Sequence, residues 1–121
     1  METKKTLIIG ASTDASRYSF IAANRLLKHG YSIELLGRNE GEVAGHIIHT
    51  QKLDFEDIDT VTLYVNPRNQ VDYYDYILKL NPRRVIFNPG TENPEFENKL
   101  SEKGIEPIEA CTLVMLSIGN Y

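Results

Sequence analysis

The sequence predicts an α/β fold, a doubly wound and mostly parallel sheet flanked by helices, formed as a single domain over residues 1–121. Three observations carry this. Apolar runs rich in β-branched residues alternate with amphipathic helical stretches along the chain, and strands separated by such helices pair in parallel through crossovers that are nearly always right-handed. The first run passes through Gly10-Ala11-Ser12 into a polar stretch that starts a helix, which is how open α/β sheets bring backbone N–H groups to a ligand. The 121 residues are enough to bury about two-thirds of the unfolded surface around one core, and no repeat, low-complexity tract or linker divides them.

Taken in order, strands are predicted at residues 6–9, 32–36, 60–65 and 84–87, with a weaker one at 106–108. A further short strand is flanked by His46 and His49. The stretch 16–29 places Phe20, Ala23, Leu26 and Leu27 on one helical face and ends in Gly30, a residue suited to a left-handed cap. Residues 69–80 repeat the pattern with Val71, Tyr74, Ile77 and Leu78 inward, and Asn81-Pro82 stops it. Residues 95–103 form a third helix on Phe96 and Leu100, and 113–118 a short fourth. This is a Rossmann-like arrangement.

Composition narrows the functional classes. Thirteen basic against 17 acidic residues give a net charge of −4, which argues against a general nucleic-acid or membrane-surface binder. An anionic ligand must then be held locally. One cysteine, Cys111, has no internal partner, and His29, His46 and His49 show no zinc spacing. The opening METKKTLIIG is too short in apolar residues for a signal peptide or a membrane span. The expectation is a cytoplasmic protein in a reducing compartment.

In open sheets of this kind, ligands bind at the carboxyl ends of the strands. That edge gathers Gly10-Ala11-Ser12, Gly37-Arg38-Asn39, Asn66-Pro67-Arg68 and Asn88-Pro89-Gly90-Thr91-Glu92. Many of these are turn formers in their own right. The first loop offers Gly10, Ser12 and Ala15 at the places of a G-x-G-x-x-G pattern, a partial match to a diphosphate cradle. Arg17 can pair with phosphate through its guanidinium. Arg38 stands where an NAD-binding fold places an acidic residue for the ribose hydroxyls, which disfavours NAD and suits a ligand with a phosphate on its ribose. Coenzyme A and NADP both carry one.

The ordered set GAST and RYS in the first loop, LLGRNEGEVAGHIIH after the second strand, TLYVNP, RVIFNPGTENPEF and GIEPIEACTLVML closely resembles the small stand-alone CoA-binding domain proteins, which are similar to the N-terminal domain of the succinyl-CoA ligase α subunit. The resemblance runs from Lys5 to Tyr121. It implies that coenzyme A, or an acyl-CoA, is the cofactor, with its diphosphate at Gly10, Ala11, Ser12 and Arg17. It also implies an adenosine end at Gly37 and Arg38, a wall for adenine or pantetheine at Val65, Asn66 and Pro67, and Asn88, Gly90, Thr91 and Glu92 across the cleft. The ligases use a phosphorylated histidine from a second domain, so the resemblance implies binding without ligation. The histidines here offer no substitute: His29 ends a helix, and His46 and His49 flank a strand.

Three residue groups remain. Asp54, Glu56 and Asp57 are expected before a short helical turn, as a solvated acidic face. Tyr73, Tyr74 and Tyr76 stand at helical spacing and suit packing. Cys111 precedes the last helix on the ligand edge. It is either a buried small hydrophobe or a thiol near a helix N-terminus that forms a mixed disulfide with CoA. Two alternatives to a plain CoA-binding module stay open: an NADP-type oxidoreductase, and a regulatory or interaction subunit with a redox-sensitive Cys111, oligomeric through residues 113–121.

Overall fold

The computed structural model describes residues 4–121. Seven strands form one sheet in the order β3-β4-β2-β1-β5-β6-β7. They are β1 (Thr6–Ile9), β2 (Ile33–Leu36), β3 (Gly41–Val43), β4 (His46–His49), β5 (Thr60–Leu63), β6 (Arg84–Phe87) and β7 (Glu106–Glu109). Every pairing is parallel except that of β3 with β4. The α/β, Rossmann-like expectation therefore holds, with an added hairpin at one end.

The helices are α1 (Tyr18–Lys28), α2 (Pro67–Gln70), α3 (Tyr74–Leu80), α4 (Pro94–Glu102) and α5 (Thr112–Ser117). Strand side chains alternate between two apolar layers. Leu7 and Ile9 of β1 join Tyr74, Ile77, Phe96 and Leu100, beneath α3 and α4. Ile8 joins Ala23, Leu26, Met115 and Leu116, beneath α1 and α5. Helices on both faces explain why the central strands are buried at every position and are dominated by apolar and β-branched residues.

Three local expectations are corrected. Helix α1 starts at Tyr18 rather than Ser16, because residues 11–17 form a loop closed by hydrogen bonds from Asp14 N to Ser12 Oγ and from Ser16 N to the Asp14 carboxylate. The stretch 69–80 is not one helix: a 3-10 turn, Val71–Tyr73, separates α2 from α3. Val71, expected inward, is 56% exposed, while Gln70 is fully buried. No helical turn follows Asp54, Glu56 and Asp57, and Asp57 has a left-handed φ of 58°.

A buried cation marks the amino edge of the sheet. Arg84 donates to Thr60 Oγ1 at 2.9 Å and to the Tyr121 backbone oxygen at 3.0 Å, and lies 4.5 Å from the Tyr121 ring centroid. Two of its three nitrogens are committed there. At the free end of the sheet, β7 pairs with β6 through the Glu106 and Ala110 N–H groups, which donate to Arg83 and Phe87 carbonyls. Among the described residues no helix is long and apolar enough to cross a membrane.

Candidate functional site

The chain runs from β1 outward through β2 to β4, then returns to the other side of β1 as β5. The order thus reverses between β1 and β5, and loops leaving these strands diverge around a crevice at their carboxyl ends.

Gly10 opens the first loop with φ 97°, and a Cβ there would lie 2.8 Å from the Tyr64 carbonyl oxygen. Only glycine fits. The N–H groups of Gly10 and Ala11 both donate to the Leu36 carbonyl, at 2.9 and 3.0 Å, so they are committed to β2 and shape the turn. Ser12 Oγ accepts from Asp14 N at 3.0 Å. The Asp14 carboxylate accepts from Ser16 Oγ and N at 2.7 and 2.9 Å, and those bonds hold its pKa below the usual range. Arg17 is the N-cap of α1 without a side-chain cap bond, and its exposed guanidinium lies 3.9 Å from Asp14. No acceptor among the described residues meets the Tyr18 and Ser19 N–H groups. An 11-residue helix thus presents free donors and the positive end of its dipole to the crevice.

Beside this loop, the buried Gly37 donates its N–H to the His49 carbonyl at 2.9 Å. Arg38 follows, exposed and without an ion pair among the described residues. After β5, Val65 packs on the core edge, and Asn66 caps α2 by accepting from Asn69 N at 2.9 Å, with Pro67 at the first helical turn. Gln70 then reaches from α2 to two loops, donating to the Val65 carbonyl at 2.9 Å and the Thr91 carbonyl at 2.7 Å. It ties the two walls of the crevice together.

On the second wall, Asn88 is saturated. Its amide donates to Thr62 Oγ1 at 2.6 Å and Leu63 O at 2.9 Å, and its oxygen accepts from Thr112 N at 2.9 Å. The buried Thr91 donates to the Asn88 carbonyl at 2.8 Å. Gly90, at φ 93°, donates to the exposed Glu92 carboxylate at 3.0 Å. These contacts make the loop rigid rather than a set of free ligand groups.

Between α1, β5, β6 and α5 lies a cavity of about 210 Å³ lined by Tyr18, Tyr64, Asn88, Pro89, Cys111 and Leu113. Cys111 is half-buried and caps α5. It is therefore neither sealed in the core nor on the open surface. The Tyr64 hydroxyl is enclosed beside Thr62 and Thr112 without a hydrogen-bond partner, and burial pushes its pKa up to about 12. A larger open hollow of about 410 Å³ lies outboard of the crevice, beside β3 and β4.

The edge loops expected from strand order thus converge. Sequence reasoning missed Tyr18, Tyr64, Leu113 and Gln70. Tyr64 follows β5 directly and was within reach of the strand-end rule, whereas nothing in an apolar pattern marks a buried glutamine.

Comparison with known proteins places the fold. A crystal structure of an uncharacterized protein superimposes with a TM-score of 0.97 at 55% identity, covering 100% of both chains. A cell-free protein from Thermus thermophilus matches with a TM-score of 0.87 at 27% identity, over 98% of this chain and 91% of its own. A hypothetical protein from Pyrococcus horikoshii OT3 gives 0.87 at 28% identity, over 97% and 84%. No curated protein matches. The profile of the CoA binding domain covers residues 4–117, the whole of this sheet with its edge loops, and the chain belongs to that family.

Proposed function

We propose that the chain, over residues 1–121, is a CoA-binding module that holds coenzyme A or an acyl-CoA at the carboxyl edge of its sheet. One observation carries this: the free N–H donors at the start of α1 adjoin a largely apolar cavity that Tyr18 itself lines, a pairing that suits a diphosphate joined to a pantetheine arm. The residues fit the ligand. Uncapped N–H groups at the start of α1, with Ser12 and Arg17, receive the diphosphate, while Gly10 and Ala11 set the turn. Gly37 and Arg38 lie at the adenosine end, and Arg38 meets the ribose phosphate. Val65, Asn66 and Pro67 form one wall, and the rigid loop of Asn88, Gly90, Thr91 and Glu92 the other. The arm ends in the cavity at Cys111. Coenzyme A supplies the thiol that carries an acyl group. The chain's own side chains bind and orient it.

Calorimetric titration with CoA, acetyl-CoA, dephospho-CoA and NADPH tests this. CoA and acetyl-CoA bind, dephospho-CoA binds more weakly, and NADPH gives no saturable heat. Absence of CoA binding at millimolar ligand, or NADPH binding that CoA does not displace, overturns it.

A further inference from the structure

Strands β2 and β4 are parallel neighbours with Leu36 opposite His49, so the chain leaves both at the same edge of the sheet. Arg38 stands two residues past the end of β2 and Lys52 three past the end of β4. Lys52 does not drift freely from that edge. Its ammonium donates to the Asp72 carbonyl and lies 5.2 Å from the centroid of the Tyr73 ring, both in the 3-10 turn that follows the β5 loop. Cation–π attraction and a backbone acceptor thus tie the lysine to the turn that follows the β5 loop. Arg38 acts on the same ring: burial and the Asp72 charge raise the Tyr73 pKa, and the Arg38 guanidinium opposes them.

Neither cation has an acidic partner among the described residues, whose ion pairs are Lys5–Glu34, Arg17–Asp14 and Arg83–Asp59. Two unpaired cations at one rim of a chain with net charge −4 cost repulsion that a dianion relieves. A phosphate monoester approaches two negative charges near neutral pH, unlike a diphosphate bridge with one per phosphorus.

We propose that Lys52 completes, with Arg38, a two-cation seat for the ribose phosphate of the bound nucleotide, making the Asp72–Tyr73 turn the device that positions the second cation. This rests on the CoA reading above. Lys52→Ala is expected to weaken CoA about tenfold and dephospho-CoA less than about twofold, and the double variant Arg38→Ala/Lys52→Ala to bind the two ligands equally. Lys52→Arg retains selectivity, which a purely structural lysine would not require. Titration of each variant with both ligands, beside a thermal melt to confirm folding, decides the matter. Equal losses for CoA and dephospho-CoA, or no loss for either, overturn the role of Lys52 while CoA binding itself stands. A wild-type protein that binds neither ligand brings down the CoA reading and this inference with it.

Discussion

The backbones of Gly37 and Ala11 are packed so closely that a Cβ on Gly37 would lie 2.5 Å from the Ala11 carbonyl oxygen and 3.0 Å from an Ile48 methyl carbon. This contact sets the spacing between the loop at the end of β1 and the one at the end of β2. Gly37→Ala therefore has to push the first loop aside. It is expected to cost about 1–3 kcal/mol in urea unfolding and to weaken CoA further than the stability loss explains, since the displaced loop leads to the α1 donors. Unchanged stability and affinity would show that the loop yields without consequence.

Asn88 and Tyr64 predict opposite outcomes from adjoining positions. Asn88→Ala strips Thr112 N and the Leu63 carbonyl of their partner, a loss of roughly 2–4 kcal/mol. Tyr64→Phe removes a hydroxyl that satisfies nothing, and is expected to leave stability unchanged or raise it by up to about 1 kcal/mol. Chemical denaturation of both variants checks the contrast.

Glu97 supplies a pH signature. Burial and the neighbouring Glu109 carboxyl raise its pKa, while Asn93 N donates to it at 3.1 Å. A carboxyl whose folded pKa is raised favours the neutral form, so its contribution is full below the unfolded value of about 4.3 and is lost as pH rises through the folded value. Glu97→Gln keeps the acceptor without the charge. It is expected to be more stable than wild type at pH ~7, by less than about 1 kcal/mol given its partial exposure, with the difference vanishing below pH ~4. Urea melts at both pH values measure this.

Cys111 tests the direction of the arm. Incubation with oxidised CoA is expected to add one CoA by thiol–disulfide exchange: the Cys111 thiolate attacks one sulfur of the CoA disulfide, and the other CoA leaves as thiolate. Intact-protein mass spectrometry reads the adduct, dithiothreitol reverses it, and prior reduced CoA blocks it. Cys111→Ser binds reduced CoA nearly as well and forms no adduct. A folded protein inert to oxidised CoA, with an unfolded chain that reacts, would turn the arm away from Cys111.

Most of the sheet was legible because β1, β5 and β6 are buried on both faces, so apolar and β-branched residues dominate Thr6–Ile9, Thr60–Leu63 and Arg84–Phe87, with only threonines and Arg84 as polar members. The hairpin was not fully legible. β3 has three residues, of which only Val43 is buried, so it carries no periodic signal. Likewise, the break at Val71 follows from Gln70 turning into the core to bridge two loops, a contact between residues 21 positions apart that helical spacing does not encode. The candidate site followed the same division. Loops ending recognised parallel strands could be grouped at one edge, while the proposed Lys52 could not be placed beside them because β4 was not read as a parallel member of the sheet.

Pro107 is the second residue of β7, in a stretch where the N–H groups of Glu106 and Ala110 point to β6. Its nitrogen therefore falls on the outward side, where it has no hydrogen to donate. Together with the three-residue β3 at the opposite end, this leaves neither border as a template for an incoming strand, so the sheet is guarded against end-to-end growth into fibrils. Self-association of this protein would then draw on side-chain faces rather than strand edges, among them Tyr18 and Val114 on α1 and α5 and Ile118 just past α5, all open to solvent.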